Sequence, residues 1–219
     1  MQKVTTITLG ISNLFLIRDK GTILVDTGTD ASREKYLAVF ADLELNPKEI
    51  KLIIISHGHY DHFAHLSELK ELTGAPVLCH KHAVHALQTG KNSEVIPRNQ
   101  LGKEILEMIK ENKPIVVKPV QPDLIIDSTF DLNQYGVSGK IIYTPGHSHC
   151  SISVILDSGE AIVGDMLVSS PFTGELCAAY FASNEDMLFS NIRNLLNSAH
   201  IFYGGHGGPF TREEVLKII

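Results

Sequence analysis

The chain has 219 residues, 43% apolar and 20% charged, enough to bury one sizeable core and unlike a disordered or fibrous chain. Nineteen basic and 25 acidic side chains leave a formal charge of -6, which excludes the basic footprint of a nucleic-acid or anionic-membrane binder. No run approaches the ~20 apolar residues of a membrane span, and Thr5, Thr6, Thr8, Ser12 and Asn13 interrupt any export signal, so a single cytoplasmic domain over 1–219 is expected.

In chain order, apolar alternation predicts strands over 4–9, 13–17 and 22–26, with Asp19, Lys20 and Gly21 turning the second hairpin. Helical spacing of Tyr36, Leu37, Phe40 and Leu43 predicts a helix over 31–43, and Pro47 opens a short helical turn. The apolar run 52–55, bounded by Lys51 and Ser56, suits a strand buried on both faces, so the residues after Ser56 stand at a sheet rim. A helix over 65–73 stops at Gly74, and a short strand follows over 77–79.

Residues 80–113 read as a more polar helical insertion, with a loop over 92–97 and an amphipathic stretch marked by Leu101, Ile105, Leu106 and Ile109. Strands are expected over 115–117, 124–126, 140–144, 152–156 and 161–163, then an aperiodic, site-lining loop over 166–181. A helix over 184–199 is expected to be capped by Ser183, a strand over 201–203 follows, and Thr211 with Glu214 forms a capping box for the last helix. Strands followed by helices, twice over, predict an α+β fold with two packed sheets and helices outside. Nothing in the pattern sets an oligomeric state.

Eleven histidines are present, and four potential metal ligands fall in six residues: His57, His59, Asp61 and His62. In an extended chain His57, His59 and Asp61 project to one side and His62 to the other, so two ions or a sharp bend are implied. Gly58 permits a close turn. Imidazole and carboxylate without thiolate suit zinc, with iron or manganese as alternatives, and point to a catalytic ion and hydrolysis.

The segment resembles the HxHxDH motif of the metallo-β-lactamase superfamily. Four further stretches match that family in order: Asp26-Thr27-Gly28, the turn Thr144-Pro145-Gly146-His147, the strand end Val163-Gly164-Asp165, and Gly204-Gly205-His206-Gly207. The resemblance implies an αββα sandwich of two mixed sheets, with two divalent metal ions at one edge. His57, His59 and His147 would hold the first ion, and Asp61, His62 and His206 the second. Asp165 would bridge them, and Asp26 would orient ligands from behind. It further implies a water-derived nucleophile attacking an ester, thioester or lactone, with Asp61 orienting it and accepting its proton.

Competing readings are weaker. His80, His82 and His85 form a second cluster, but Lys81 adds charge and no carboxylate is adjacent in sequence. His149 is expected behind the ligands or in the pocket wall, His65 and His200 as ordinary polar residues, and the three cysteines, Cys79, Cys150 and Cys177, as reduced core or site-lining residues. Asp26-Thr27-Gly28 is also the aspartic-protease tripeptide, but no second copy exists. Within the resemblance, a glyoxalase II-like or lactonase-like hydrolase is expected. The alternatives are a phosphodiester hydrolase and a persulfide dioxygenase holding one iron on His57, His147 and Asp165. Segment 80–113 is expected to cover the metal edge, and Tyr60, Tyr143 and Tyr180 are candidate oxyanion donors.

Overall fold

The structure, a computed structural model, describes residues 2–111 and 116–219. Two sheets pack face to face between helical layers. The first contains β1 (Lys3–Leu9), β2 (Ser12–Arg18), β3 (Thr22–Val25), β4 (Ile50–Ile54), β5 (Val77–His80) and β6 (Leu124–Ile126), paired in chain order. Its first three strands are antiparallel and the next three parallel. The parallel strands are joined through α1 (Arg33–Asp42), α2 (Tyr60–Phe63), α3 (Leu66–Thr73), α4 (Val84–Thr89) and α5 (Gln100–Glu111).

The second sheet contains β7 (Phe130–Asp131), β8 (Gly139–Tyr143), β9 (Ile152–Leu156), β10 (Glu160–Ser169), β11 (Leu176–Ala178), β12 (Ile201–His206) and β13 (Phe210–Thr211). Its order is β13-β12-β10-β9-β8-β7, with β11 also on β10. The outer face carries α6 (Glu185–Leu195) and α7 (Arg212–Val215).

Strand alternation assigns the layers. In β4, Leu52 and Ile54 enter the core between the sheets with Phe15, Ile141, Val154 and Ile162, while Ile53 joins Tyr36, Phe40 and Leu69 beneath the helices. On the far side Val163 and Phe202 pack with Leu188, Ile192 and Leu195 of α6. The expected αββα sandwich is therefore present.

Several boundaries differ from expectation. The N-cap of α6 is Asn184, whose side chain accepts from Met187 N at 2.9 Å, while Ser183 Oγ donates to the Gly146 carbonyl. The strand expected over 115–117 has Ile115 outside the described residues, and Val116 and Val117 are not in a strand. Pro119 and Pro122 cannot donate to a ladder, and Val117 and Val120 pack their side chains beneath the helices instead. β10 and β12 run several residues beyond expectation: Gly164 pairs with Gly204 and Val168 with His206, so the parallel ladder continues past the glycines with a register shift on either side of Gly164. The Thr211–Glu214 capping box forms as expected.

Candidate metal centre

At the end of β4 the chain turns through Ser56–His59 and enters α2, a single helical turn. That turn replaces the extended alternation read from the sequence and sorts the ligands into two sets. Around Gly58 a Cβ would lie 2.3 Å from Ser93 Oγ and 3.0 Å from Ala86 Cβ, so the neighbouring segment also packs against this position. His147 comes from the turn after β8, Asp165 from within β10 and His206 from the end of β12.

The first set is His57, His59, His147 and Asp165; the second is Asp61, His62, Asp165 and His206, so the two share Asp165. In the first set His57 Nε2, His59 Nδ1 and His147 Nε2 form a triangle with sides of 3.1, 3.0 and 3.2 Å. Three ring nitrogens cannot all alternate as donor and acceptor, because at least one side must join two protons or two lone pairs. A cation inside the triangle removes that conflict. In the second set His206 Nε2 lies 3.1 Å from Asp61 Oδ2 and 3.2 Å from Asp165 Oδ2, and His62 Nε2 lies 3.2 Å from Asp165 Oδ1. His62 Nε2 and Asp165 Oδ1 are buried without a hydrogen-bond partner, as groups reserved for an ion would be.

The outward nitrogen of every imidazole meets an acceptor. His62 Nδ1 donates to Asp26 Oδ2 at 2.8 Å. Asp26 also accepts Ser56 N and Ser56 Oγ, both at 2.7 Å. With its proton committed to Asp26, Ser56 Oγ accepts from His57 Nδ1 at 3.0 Å. His147 Nδ1 donates to the Phe181 carbonyl at 3.0 Å, His206 Nδ1 to the Ile11 carbonyl at 2.6 Å, and His59 Nε2 makes a longer contact to the Glu94 carbonyl at 3.4 Å. Once neutral, each ring presents a lone pair inward, the arrangement that outer partners of metal-bound histidines enforce. Asp26 holds a left-handed backbone, φ 64°, which an Asp tolerates better than most residues and which aims its carboxylate at both Ser56 and His62.

The two sets differ electrostatically. Burial, reinforced by neighbouring imidazoles, lowers His57 far below the ordinary histidine range; burial also lowers His59 and holds His147 at about 4. For His62 and His206 burial is outweighed by Asp165 and Asp61, which raise both, His206 to about 10. The carboxyls of Asp61 and Asp165, which burial alone would raise, are held well below their ordinary range by His62 and His206.

The centre forms the floor of a cavity of about 510 Å³, with Asp61, His59, His147, Asp165 and His206 in its wall. Tyr60 and Tyr180 also line it. Val95, Ile105, Leu106 and Ile109 supply its roof from the segment expected to cover the site. That segment also grips the ligand loop: Ser93 N donates to Gly58 O at 2.7 Å, and Tyr60 N donates to Asn92 Oδ1 at 2.6 Å.

A sequence model of the metallo-β-lactamase superfamily matches residues 7–206. The chain belongs to that superfamily. Among relatives of this metallo-β-lactamase superfamily chain is a probable metallo-hydrolase of Methanocaldococcus jannaschii, 28% identical over 90% of this chain and 87% of that one. Another is the hydroxyacylglutathione hydrolase GloC of Haemophilus influenzae, 25% identical over 95% of this chain and 92% of that one. Similar solved structures include the BLEG-1 B3 metallo-β-lactamase, TM-score 0.73 at 18% identity over 98% of this chain and 97% of that one. A di-iron-bound form of TTHA1623 gives TM-score 0.70 at 22% identity over 97% of each chain. The structural likenesses show the fold, and the sequence relatives are named as hydrolases.

Other candidates fall outside the superfamily centre. His149 is exposed, with its ring 5.6 Å from that of His82, and does not line the cavity, contrary to expectation. Tyr143 stacks on His80 at 4.2 Å and donates its hydroxyl to the His149 carbonyl, so it is removed from the oxyanion candidates. His80, His82 and His85 form no three-ligand set among the described residues. Cys150 is buried and accepts Gly58 N at 3.2 Å, a structural contact behind the ligand loop. The sequence reading missed Ser56, Asn92 and Asn13; the Asn13 side chain donates to the carbonyls of Gly204 and Gly207 at 3.0 Å each, on either side of His206.

Proposed function

We propose that the protein is a metal-dependent hydrolase of a small-molecule ester, thioester or lactone. The observation that carries this reading is the convergence of five inward imidazole nitrogens and two carboxylates in two sets sharing Asp165 on a cavity floor. His57, His59 and His147 would hold one divalent cation, and Asp61, His62 and His206 a second, with Asp165 between them. Zinc suits the nitrogen and oxygen donors, with iron and manganese as alternatives; the di-iron form of TTHA1623 makes iron a serious competitor. A pair of such cations supplies a water-derived nucleophile at neutral pH and polarises the bond to be cleaved.

The chain's own groups then have definable tasks. Asp61 lies on the cavity wall with Oδ2 3.1 Å from His206 Nε2, placed to orient the attacking water and to take its proton. Asp26, through His62 and through Ser56 to His57, fixes ring orientation and tautomer in both sets. The phenols of Tyr60 and Tyr180 are donors within the cavity for an oxygen that gains charge. Apolar walls keep bulk water from the scissile bond.

GloC lends the thioester reading support as a relative named for hydroxyacylglutathione hydrolysis. The completeness of the second set favours a paired centre over the single-iron oxygenase alternative. The test is metal analysis of protein purified without chelator, followed by thioester, lactone and phosphodiester substrates on the same sample. Two ions per chain with carbonyl-ester hydrolysis is expected. One iron per chain with oxygen-dependent sulfite formation from a persulfide would overturn the reading.

A further inference from the structure

The roof of the cavity has an unusual composition. Helix α5 is amphipathic, yet Gly102 is its one buried residue, packed so that a Cβ would meet the Tyr180 carbonyl at 2.3 Å. Ile105 and Leu106 are only half buried, and Ile109 is 39% exposed. These three side chains line the cavity above the metal ligands. An apolar helix face normally completes its burial against a core; here the cavity occupies that position. The same cavity is also lined by Ile11, which is 64% exposed, and Pro171.

Charge gives the second half of the argument. No lysine or arginine among the described residues lines the cavity. Of the cations beside the roof, Arg98 pairs with Glu185 at 2.7 Å and donates to the Ala179 carbonyl, Lys110 pairs with Glu107 at 2.7 Å, and Lys103, on α5 itself, does not line the cavity. A carboxylate lying against Ile105, Leu106 and Ile109 would lose its hydration with no lysine or arginine to replace it. A hydrocarbon chain would gain from the same surroundings.

Resting on the hydrolase reading, we infer that the substrate's non-reacting part is an uncharged, apolar acyl chain seated in the cavity that α5 and Ile11 line. Carriers bearing carboxylates, such as glutathione, are selected against. The scissile carbonyl faces the metal ligands while the chain lies against Ile105, Leu106 and Ile109.

The experiment compares one scissile bond on two carriers. Zinc-loaded protein is assayed with butanoyl, hexanoyl and octanoyl thioesters of N-acetylcysteamine, which is neutral, and with the same acyl thioesters of glutathione. On the neutral carrier kcat/KM should rise roughly three- to fourfold per added CH2, and each glutathione thioester should be at least about tenfold poorer than its neutral counterpart. Leu106→Lys should reverse the carrier preference. A flat chain-length series, or equal or better turnover of the glutathione thioesters, overturns the inference.

A binding arm separates this inference from the hydrolase reading. The neutral fluorophore N-phenyl-1-naphthylamine should bind metal-free protein, be displaced by 1-octanol but not by 1-butanol, and bind poorly to Ile105→Asp with an unchanged circular dichroism spectrum. If the fluorophore behaves so while no ester, thioester or lactone is hydrolysed, the apolar lobe stands and the hydrolase reading falls. Failure of the fluorophore to bind the wild-type protein overturns the lobe.

Discussion

Asp26→Asn tests the coupling between the buried carboxylate and the two ligand sets. Asn tolerates the left-handed backbone at this position, so the substitution leaves the turn in place and changes only which atoms carry protons. The native carboxylate accepts three hydrogen bonds, one on Oδ1 from Ser56 N and two on Oδ2 from Ser56 Oγ and His62 Nδ1. An amide offers one oxygen. If its NH2 faces His62, the ring must shift its proton to Nε2 and direct it into the second set. If the NH2 faces Ser56 N, two buried donors oppose each other at 2.7 Å, which costs about 1–3 kcal/mol. Loss of such an outer partner weakens metal binding by roughly 10–100-fold, equivalent to about 1.4–2.7 kcal/mol. Competition with a chromophoric chelator should show the second equivalent weakened by at least about tenfold, with a smaller effect on the first. Two equivalents held with wild-type affinity would refute the proposed control of His62 by Asp26.

Three further outcomes follow from the same geometry. A Cβ at residue 205 would lie 2.1 Å from Asp165 Oδ1 and 2.7 Å from His62 Cε1, so Gly205→Ala should abolish the second equivalent of metal and lower stability by about 1–3 kcal/mol, read by metal analysis and urea unfolding. Asn92→Ala removes the 2.6 Å bond to Tyr60 N and should cost about 1 kcal/mol while reducing turnover; unchanged stability and turnover would mean that the segment around residue 92 does not brace the ligand loop. Proton release should differ between the two equivalents. The lowered His57, His59 and His147 are already neutral at pH 7, whereas the raised His62 and His206 must each give up a proton before coordinating. Calorimetry in buffers of different ionisation enthalpy should therefore find few protons released by the first equivalent and about two by the second, with the His206 share vanishing as pH rises through about 10.

Much of the centre was legible because its chemistry resides in side chains. The cluster after Ser56 declared itself by density, and His147, Asp165 and His206 by motif resemblance. The resemblance assigned His57 and His59 to one ion and Asp61 and His62 to another, but the single turn of α2 that separates these pairs in space was not visible in an alternation argument. What orients His59, His147 and His206 could not be read at all, since Glu94, Phe181 and Ile11 contribute main-chain carbonyls that any residue carries. Likewise β10 and β12 were read too short because Gly164, Gly204 and Gly205 look like breakers, whereas the missing Cβ of Gly204 lets the Leu167 carbonyl of β10 approach and that of Gly205 lets the Asp165 carboxylate approach. His149 was misplaced by its spacing from His147; the turn between them sends its ring outward toward His82.

X-ray absorption at the metal edge of protein loaded with two equivalents of zinc is the most direct test of the paired centre. The account predicts nitrogen and oxygen ligands only, with a metal–metal vector of about 3.5–4 Å. A sulfur shell, or the absence of metal–metal scattering at full loading, would contradict it.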